Sequence, residues 1–531
     1  MADGFACLIA PLAGSLLALL IESRLLPAVS RPWQRPAAAL TLHFGIWAVF
    51  SASLLALVQR PFFTAAIWLS GFLFLVLVSN AKYRALREPF FFQDFEYLVD
   101  ALKHPRLYLP FLAPGQALLA TAAFIVALWT GLRSEAPLLE NMSGGEMQKI
   151  LAIQAVIGGA LIWLGARCRL PVSFDPCADL QRLGMLASLW RYGEEEVRSQ
   201  PRVSRFRLPV EAATVRHRAG HLVVVQSESF FDVRRLSPAI RPQVLREFDV
   251  LQAEARLSGQ LTVAAWGANT VRSEFAFLSG LANESLGVHR FNPYRRLARQ
   301  GIVTLATLLR HHGYRTVCVH PYAQSFYARE QVFPRLGFDE FIDIRQFADC
   351  ARSGPYIGDL AVAEKVCALL GQANEQPVFV FVITMENHGP LHWEKVAPGD
   401  MERFYSTPPP TGSDDLTIYL RHLANADRMA GLLRQTLTDL PGTNALCWYG
   451  DHVPIMPAVY QSLVTPDGRS DYLLWRSDVT VADGRRQDLA VHDLGAMLLQ
   501  MMGFCAAEAI SALPPSAGMR AMPANAQMSQ M

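Results

Sequence analysis

The chain has 531 residues, with 48 Lys and Arg against 46 Asp and Glu, and a net charge of +2 excludes the strong basic field of a general nucleic-acid binder. Hydrophobic residues make up 51% and the mean hydropathy is +0.19, which points away from a wholly soluble chain and toward membrane segments joined to a globular part. None of the eight cysteines forms a C-x-x-C pair, so neither a zinc ribbon nor a thioredoxin-type motif is indicated.

Five apolar stretches, 5–26, 37–58, 62–80, 110–132 and 149–166, approach the roughly 20 residues that cross a bilayer. The start, Met1-Ala2-Asp3-Gly4, lacks the basic region of a cleavable signal peptide. Arg24, Arg31 and Arg35 lie between the first two stretches. Lys82, Arg84, Arg87, Lys103 and Arg106 lie between the third and fourth. By the positive-inside rule both loops face the cytoplasm, and with five spans the C-terminal part would join them there. Within the interfacial segment 82–108, the run Lys82 to Asp94 combines basic residues with Phe90-Phe91-Phe92. It reads either as an interfacial anchor or as a basic platform that presents an anionic lipid to the rest of the chain.

Residues 167–217 read as a charged, proline-containing linker, and 506–531 as a disordered tail rich in Ala, Pro, Ser and Met. Between them, 218–505 forms the globular part. Short apolar runs at 221–226, 261–266, 316–319, 378–383 and 445–449 alternate with helical patterns at 242–257, 272–282, 302–312, 359–371, 417–437 and 488–502. This alternation predicts an α/β domain with a mainly parallel sheet covered by helices on both faces. Cys318 and Cys447 lie inside strand runs and read as small buried hydrophobes; nothing supports a Cys350–Cys367 disulfide.

Ligands of open parallel sheets bind beyond the carboxyl ends of the strands. The residues expected there are Ser227-Glu228-Ser229, Asn269-Thr270, His320, Glu386-Asn387-His388 and Gly450-Asp451-His452. Glu228, Asp451 and His452 offer hard oxygen and imidazole ligands for Mn, Mg or Zn, and the Thr270 hydroxyl completes the set as the nucleophile. Asn269-Thr270 also opens a helix, where backbone N–H groups favour a phosphate. Taken singly, each has an ordinary reading: Thr270 as an N-cap, Glu228 as a loop carboxylate, Asp451-His452 as a turn. His388 is a candidate for substrate contact or proton transfer and Arg329 for a forked phosphate contact. His320 and Arg272 are weaker candidates of the same kind.

In order, Ser227-Glu228-Ser229-Phe230, Asn269-Thr270-x-x-Ser273-Glu274-Phe275, Ser325-Phe326-Tyr327-x-Arg329, Glu386-Asn387-His388 and Tyr449-Gly450-Asp451-His452 resemble the lipoteichoic acid synthase and phosphoglycerol transferase family, within the sulfatase and alkaline phosphatase superfamily. The resemblance covers about 218–503, and a preceding five-span bundle fits it. It implies that Thr270 attacks a phosphatidylglycerol-like donor, releases diacylglycerol and passes phosphoglycerol to a glycan or glycerophosphate acceptor. It implies one cation, Mn before Mg or Zn, on Glu228, Thr270, Asp451 and His452, with His388 and Arg329 on the head group. It also implies a multi-pass protein of the cytoplasmic membrane whose catalytic domain faces outward. That contradicts the loop charges, and the resemblance is preferred, since Arg beside a lipid phosphate has a reason to lie on the outer face. Around His320-Pro321-Tyr322 the carboxylate common in the family is missing, which leaves head-group selectivity open. A phosphoethanolamine transferase is the enzymatic alternative. A sulfatase-type hydrolase would require C/S-x-P-x-R where this chain has Thr270-Val271-Arg272-Ser273. A non-enzymatic membrane scaffold is the third.

Overall fold

The structure, a computed structural model, describes residues 2–105, 114–168, 170–198, 204–206, 219–373, 376–478 and 484–504; the tail 506–531 lies outside the described residues. Six helices come first: α1 (Ala2–Glu22), α2 (Ala37–Val58), α3 (Pro61–Leu86), α4 (Asp94–Lys103), α5 (Pro114–Ser134) and α6 (Gly144–Arg167). Among the described residues four helices are long and apolar enough to cross a membrane: Gly4–Glu22 within α1, then α2, α3 and α6. This is one fewer than the five expected. The remaining stretch, 110–132, overlaps α5, and 110–113 lie outside the described residues. Gln154, the polar residue inside α6, is buried against α1 and donates its Nε2–H to the Cys7 carbonyl, which offsets the cost of an amide in an apolar layer.

Helix α3 runs past its predicted end at 80, so Lys82 and Arg84 ride on its last turns. It stops at Arg87, in the left-handed conformation at φ 57°, whose N–H bonds the Tyr83 carbonyl. The expected linker holds two helices, α7 (Pro176–Leu183) and α8 (Met185–Arg198). Asp175 caps the first through the Cys177 and Ala178 N–H groups. The second is tied to the bundle by the Met185 N–H on the Glu22 carboxylate.

The α/β class and the mainly parallel sheet expected from the sequence are borne out. The strands are β1 (Ala219–Ser227), β2 (Leu257–Thr262), β3 (Arg315–Val319), β4 (Glu340–Ile342), a small separate pair β5 (Arg352–Ser353) and β6 (Tyr356–Ile357), then β7 (Val378–Ile383), β8 (Thr443–Gly450), β9 (Ser470–Arg476), β10 (Arg485–Arg486) and β11 (Leu489–Ala490). The large sheet runs β10-β2-β9-β8-β1-β7-β3-β4, with β11 also on β2. Strand β1 lies parallel to β7 and β8, and β9 is antiparallel to both β8 and β2. The sequence reading omits β9 and extends β2 to Trp266. The strand stops at Thr262 because the next residues turn away: Ala264 N–H bonds the Ser273 hydroxyl, and Gly267 and Asn269 take positive φ.

Alternation along β1 sends Leu222 and Val224 to one core and Val223 and Val225 to the other. Each of the four is fully buried, worth about 1.5–3 kcal/mol apiece. The helix Asp414–Asp439 covers one face; Thr270–Ser279 and Val491–Met501 cover the other. Cys318 and Cys447 lie in the second core as small hydrophobes, and Cys350 and Cys367 are free thiols.

Candidate active site

The parallel register pairs Ser227 with Gly450, so the next residue of each strand, Glu228 and Asp451, emerges side by side at the carboxyl edge of the sheet. Position 450 has to be glycine here, since a Cβ would lie 1.8 Å from the Phe230 carbonyl oxygen. Glu228, Asp451 and His452 are buried, and one ligand atom from each lies within 4.8 Å of the others. Ser229, at φ 54°, knits the group together: its N–H donates to Asp451 Oδ1 at 2.9 Å and its hydroxyl to Glu228 Oε1 at 3.0 Å.

His452 Nδ1 lies 3.2 Å from both the Val453 carbonyl and the Ser229 hydroxyl, and a proton on Nδ1 would leave the Nε2 lone pair for a cation. Nε2 faces Glu228 Oε1 at 3.5 Å and Asp451 Oδ2 at 3.3 Å. Two carboxylates beside Nε2 call for positive charge among them, from a proton on the ring or from a cation. Asp451 Oδ2 is buried and has no hydrogen-bond partner among the described residues. Burial first, and the Asp451 charge second, push the Glu228 carboxyl above its usual range. The donor set of two carboxylates and one imidazole, with an orphaned oxygen, fits a divalent cation.

Thr270 is the first residue of the ten-residue helix Thr270–Ser279, after Asn269 in the left-handed conformation. One turn on, the Ser273 hydroxyl donates to the Asp451 carbonyl at 2.8 Å, so the Thr270 helix is fastened to the loop carrying the carboxylate and imidazole. Arg272 points to the membrane side. Its Nη1 and Nη2 bond the two Glu88 oxygens at 2.8 and 3.0 Å. Around that pair, Phe91 packs on Phe291 at 4.3 Å, and Asn292 donates to Glu96 at 2.8 Å.

Arg329 and His320 are fully buried, and Arg329 bonds both His320 and Glu274. Arg329 Nη2 meets Glu274 Oε2 at 2.8 Å, and Nη1 lies 3.2 Å from His320 Nε2. His320 Nδ1 lies 3.0 Å from the Ile383 carbonyl. Burial first, then the Arg329 charge, hold this imidazole well below its usual range. Tyr294 donates its hydroxyl to Glu274 Oε1. His388 is only half-buried, with Nδ1 2.8 Å from the Gly389 carbonyl, and burial lowers its titration while the Asp451 charge raises it. Glu386 accepts from the Asp359 N–H and from Asn425 Nδ2, outside the cation group.

A family model described as Sulfatase matches residues 221–504. The chain belongs to the sulfatase family. The superfamily expected from the motif series is thereby borne out. Among the relatives of this sulfatase-family chain, the capsular polysaccharide biosynthesis protein RkpI of Rhizobium meliloti is 27% identical over 449 residues, covering 80% of this chain and 79% of that protein. A protein of the same organism described as a candidate cyclic beta-1,2-glucan modification protein is 26% identical over 255 residues, 48% of this chain and 39% of its own. The integral membrane lipooligosaccharide phosphoethanolamine transferase EptA from Neisseria meningitidis shares the fold over 87% of both chains, with a TM-score of 0.54 and 11% identity.

The sequence reading gave no role to Ser229, Ser273, Glu274, Tyr294 or Glu88. The first three sit inside the quoted motifs, so their spacing was a usable signal. Tyr294 and Glu88 carry none, because their partners are distant in the chain.

Proposed function

We propose that this sulfatase-family protein is a membrane-bound phosphotransferase that moves a phosphoglycerol head group from a phosphatidylglycerol-like lipid to a glycan or polyglycerophosphate acceptor. The observation that carries the reading is the buried Glu228, Asp451 and His452 cluster fastened through Ser273 to the helix that Thr270 opens. Glu228, Asp451 and His452, with the Thr270 hydroxyl, would hold one divalent cation, Mn before Mg or Zn; when bound it supplies charge neutralisation at the phosphate and an acidified hydroxyl.

In the first half-reaction Thr270 Oγ attacks phosphorus. The new Oγ–P bond forms as the bond to the diacylglycerol oxygen breaks, and the proton lost by Thr270 matches the one diacylglycerol gains. In the second, an acceptor hydroxyl attacks the same phosphorus, loses its proton and frees Thr270. His388, half-buried and within the field of Asp451, is the proposed proton carrier. Arg329 would contribute positive charge and the neutral His320 would brace it, with any Arg329 N–H not taken by Glu274 or His320 proposed for head-group contact. A glycan acceptor is supported by the names of the two rhizobial relatives. An outward-facing catalytic domain is proposed on the family resemblance alone, against the Lys and Arg count of the loops.

Phosphoethanolamine transfer is the second reading, favoured by the shared fold with EptA across membrane and catalytic parts. Mass spectrometry of the Thr270 peptide after exposing the full-length protein to labelled phosphatidylglycerol or phosphatidylethanolamine tests both. A phosphoglycerol adduct supports the first, a phosphoethanolamine adduct the second, and turnover with an unmodified Thr270 excludes both. Unchanged biological output from a folded Thr270→Ala variant would leave the scaffold reading standing.

A further inference from the structure

We infer that a cavity between the end of α3 and the catalytic domain binds the phosphodiester of an anionic phospholipid, at a site separate from the cation cluster. The cavity measures about 170 Å³, and Arg84, Arg87, Trp266, Ile455 and Tyr460 are among its lining residues. None of the cation-cluster residues lines it.

Three observations carry the inference. The first is unpaired positive charge. Arg84 and Arg87 are exposed at the end of a membrane-crossing helix. Among the described residues neither has a carboxylate within ion-pair distance. Their neighbours differ: Lys82 is held by Asp94 at 2.6 Å and Arg272 by Glu88 at 2.8 Å. Two guanidinium forks facing one cavity suit the oxygens of a phosphodiester.

The second is a rigid aromatic wall. The Arg87 guanidinium lies 3.5 Å from the centroid of the Trp266 ring, and Trp266 meets Tyr460 nearly edge-on at 6.2 Å. The Tyr460 hydroxyl is fixed by donating to the Pro454 carbonyl at 2.6 Å. Arg, Trp and Tyr together are the side chains of a membrane–water boundary.

The third is the link to the catalytic loops. Gly267 has φ +69°, and a Cβ there would lie 2.7 Å from Ile455 Cγ1 and 3.6 Å from the Ala85 carbonyl oxygen. The loop three residues before Thr270, the loop three residues after His452 and the end of α3 therefore meet at the cavity. A lipid held here sits where α3 leaves the apolar layer, so its acyl chains can stay beside the helix, which selects a lipid over a soluble phosphate. The inference rests on α3 crossing the membrane, not on which head group is transferred.

The test reads retention of lipid without turnover. Full-length Thr270→Ala protein is exchanged into detergent after incubation with phosphatidylglycerol vesicles or phosphatidylcholine vesicles, and bound lipid is measured by native mass spectrometry. Phosphatidylglycerol is retained in preference, and adding Arg84→Gln with Arg87→Gln lowers retention by about tenfold or more. A second arm needs no arginine variant: brominated phosphatidylglycerol quenches a tryptophan component that is missing in Trp266→Phe. Equal retention by the double Gln protein, equal retention of phosphatidylcholine, no quenching at Trp266, or displacement by soluble glycerol phosphate at the lipid's own concentration would each overturn the inference. Because no transfer is measured, failure of the donor reading leaves this result interpretable.

Discussion

The Arg272 guanidinium and the Glu88 carboxylate meet fork to fork, Nη1 on Oε1 at 2.8 Å and Nη2 on Oε2 at 3.0 Å. One partner lies two residues after Thr270 and the other two residues beyond α3, so the pair sets the register between a membrane helix and the proposed nucleophile. Arg272 is buried and Glu88 partly so. A double-mutant cycle of Glu88→Gln and Arg272→Gln, read by thermal unfolding in detergent, is expected to show a coupling of about 1–3 kcal/mol. Additive losses would mean that the two groups act independently.

The same pair predicts a pH dependence. Burial pushes the Glu88 carboxyl up, but Arg272 and Lys82 more than reverse it, and the net shift is downward. A depressed folded value contributes stability above the unfolded value, about 4.3, and loses it as pH falls through the folded value. The stability gap between the native chain and Glu88→Gln should be full at pH 7 and close below about pH 4. A gap that stays constant across that range would remove the ion pair as its cause.

Removing a ligand of the cation cluster should act in opposite directions with and without the ion. The Glu228 carboxyl is raised by burial and by Asp451, so in the metal-free chain Asp451→Asn relieves repulsion and should hold or raise the unfolding midpoint. With Mn at about 100 times its Kd, the native chain should gain about 2.7 kcal/mol that the variant does not. Because Glu228 has to lose its proton to bind the ion, the native affinity should rise with pH. Equal Mn stabilisation of native and variant chains would place the ion elsewhere.

Glu274→Gln should be costly far out of proportion to its conservative chemistry. It leaves Arg329 buried without a counter-ion and weakens the acceptor of the Tyr294 hydroxyl. The expected loss is about 3–5 kcal/mol. Calorimetry showing less than about 1 kcal/mol would mean that water or another group already satisfies Arg329.

Gly450→Ala tests the strand-end geometry. Its Cβ would fall 1.8 Å from the Phe230 carbonyl oxygen, so backbone has to move beside Asp451. We expect a loss of about 3 kcal/mol or more together with weakened Mn binding, measured by unfolding and by titration calorimetry. Unaltered Mn affinity in the folded variant would show that the cluster does not depend on this close approach.

Much of the site was legible because parallel sheets expose their strand ends. Glu228 and Asp451 each follow an apolar strand, and the β1–β8 register brings them together. The β2 boundary was misplaced because Val263 to Trp266 continue the apolar run, while the hydrogen bond from Ala264 to Ser273 belongs to the turned chain. Strand β9 was missed although Tyr472 to Trp475 form an apolar run of strand length; only its antiparallel place between β2 and β8 is beyond local sequence.

Sequence alone determined the class of this protein: apolar spans, alternating strands and helices, and a hydroxyl, carboxylates and an imidazole at strand ends. Those features are written in local periodicity and spacing. Tertiary structure decided what each charge faces. Arg272 and Glu88 are 184 residues apart, and Arg329 and Glu274 are 55 apart. Long-range pairing of this kind follows from how the helices and loops pack against the sheet, which no short window of residues encodes. The same packing leaves Arg84 and Arg87 at the cavity without a carboxylate partner among the described residues, while Lys82, on the same helix, is neutralised.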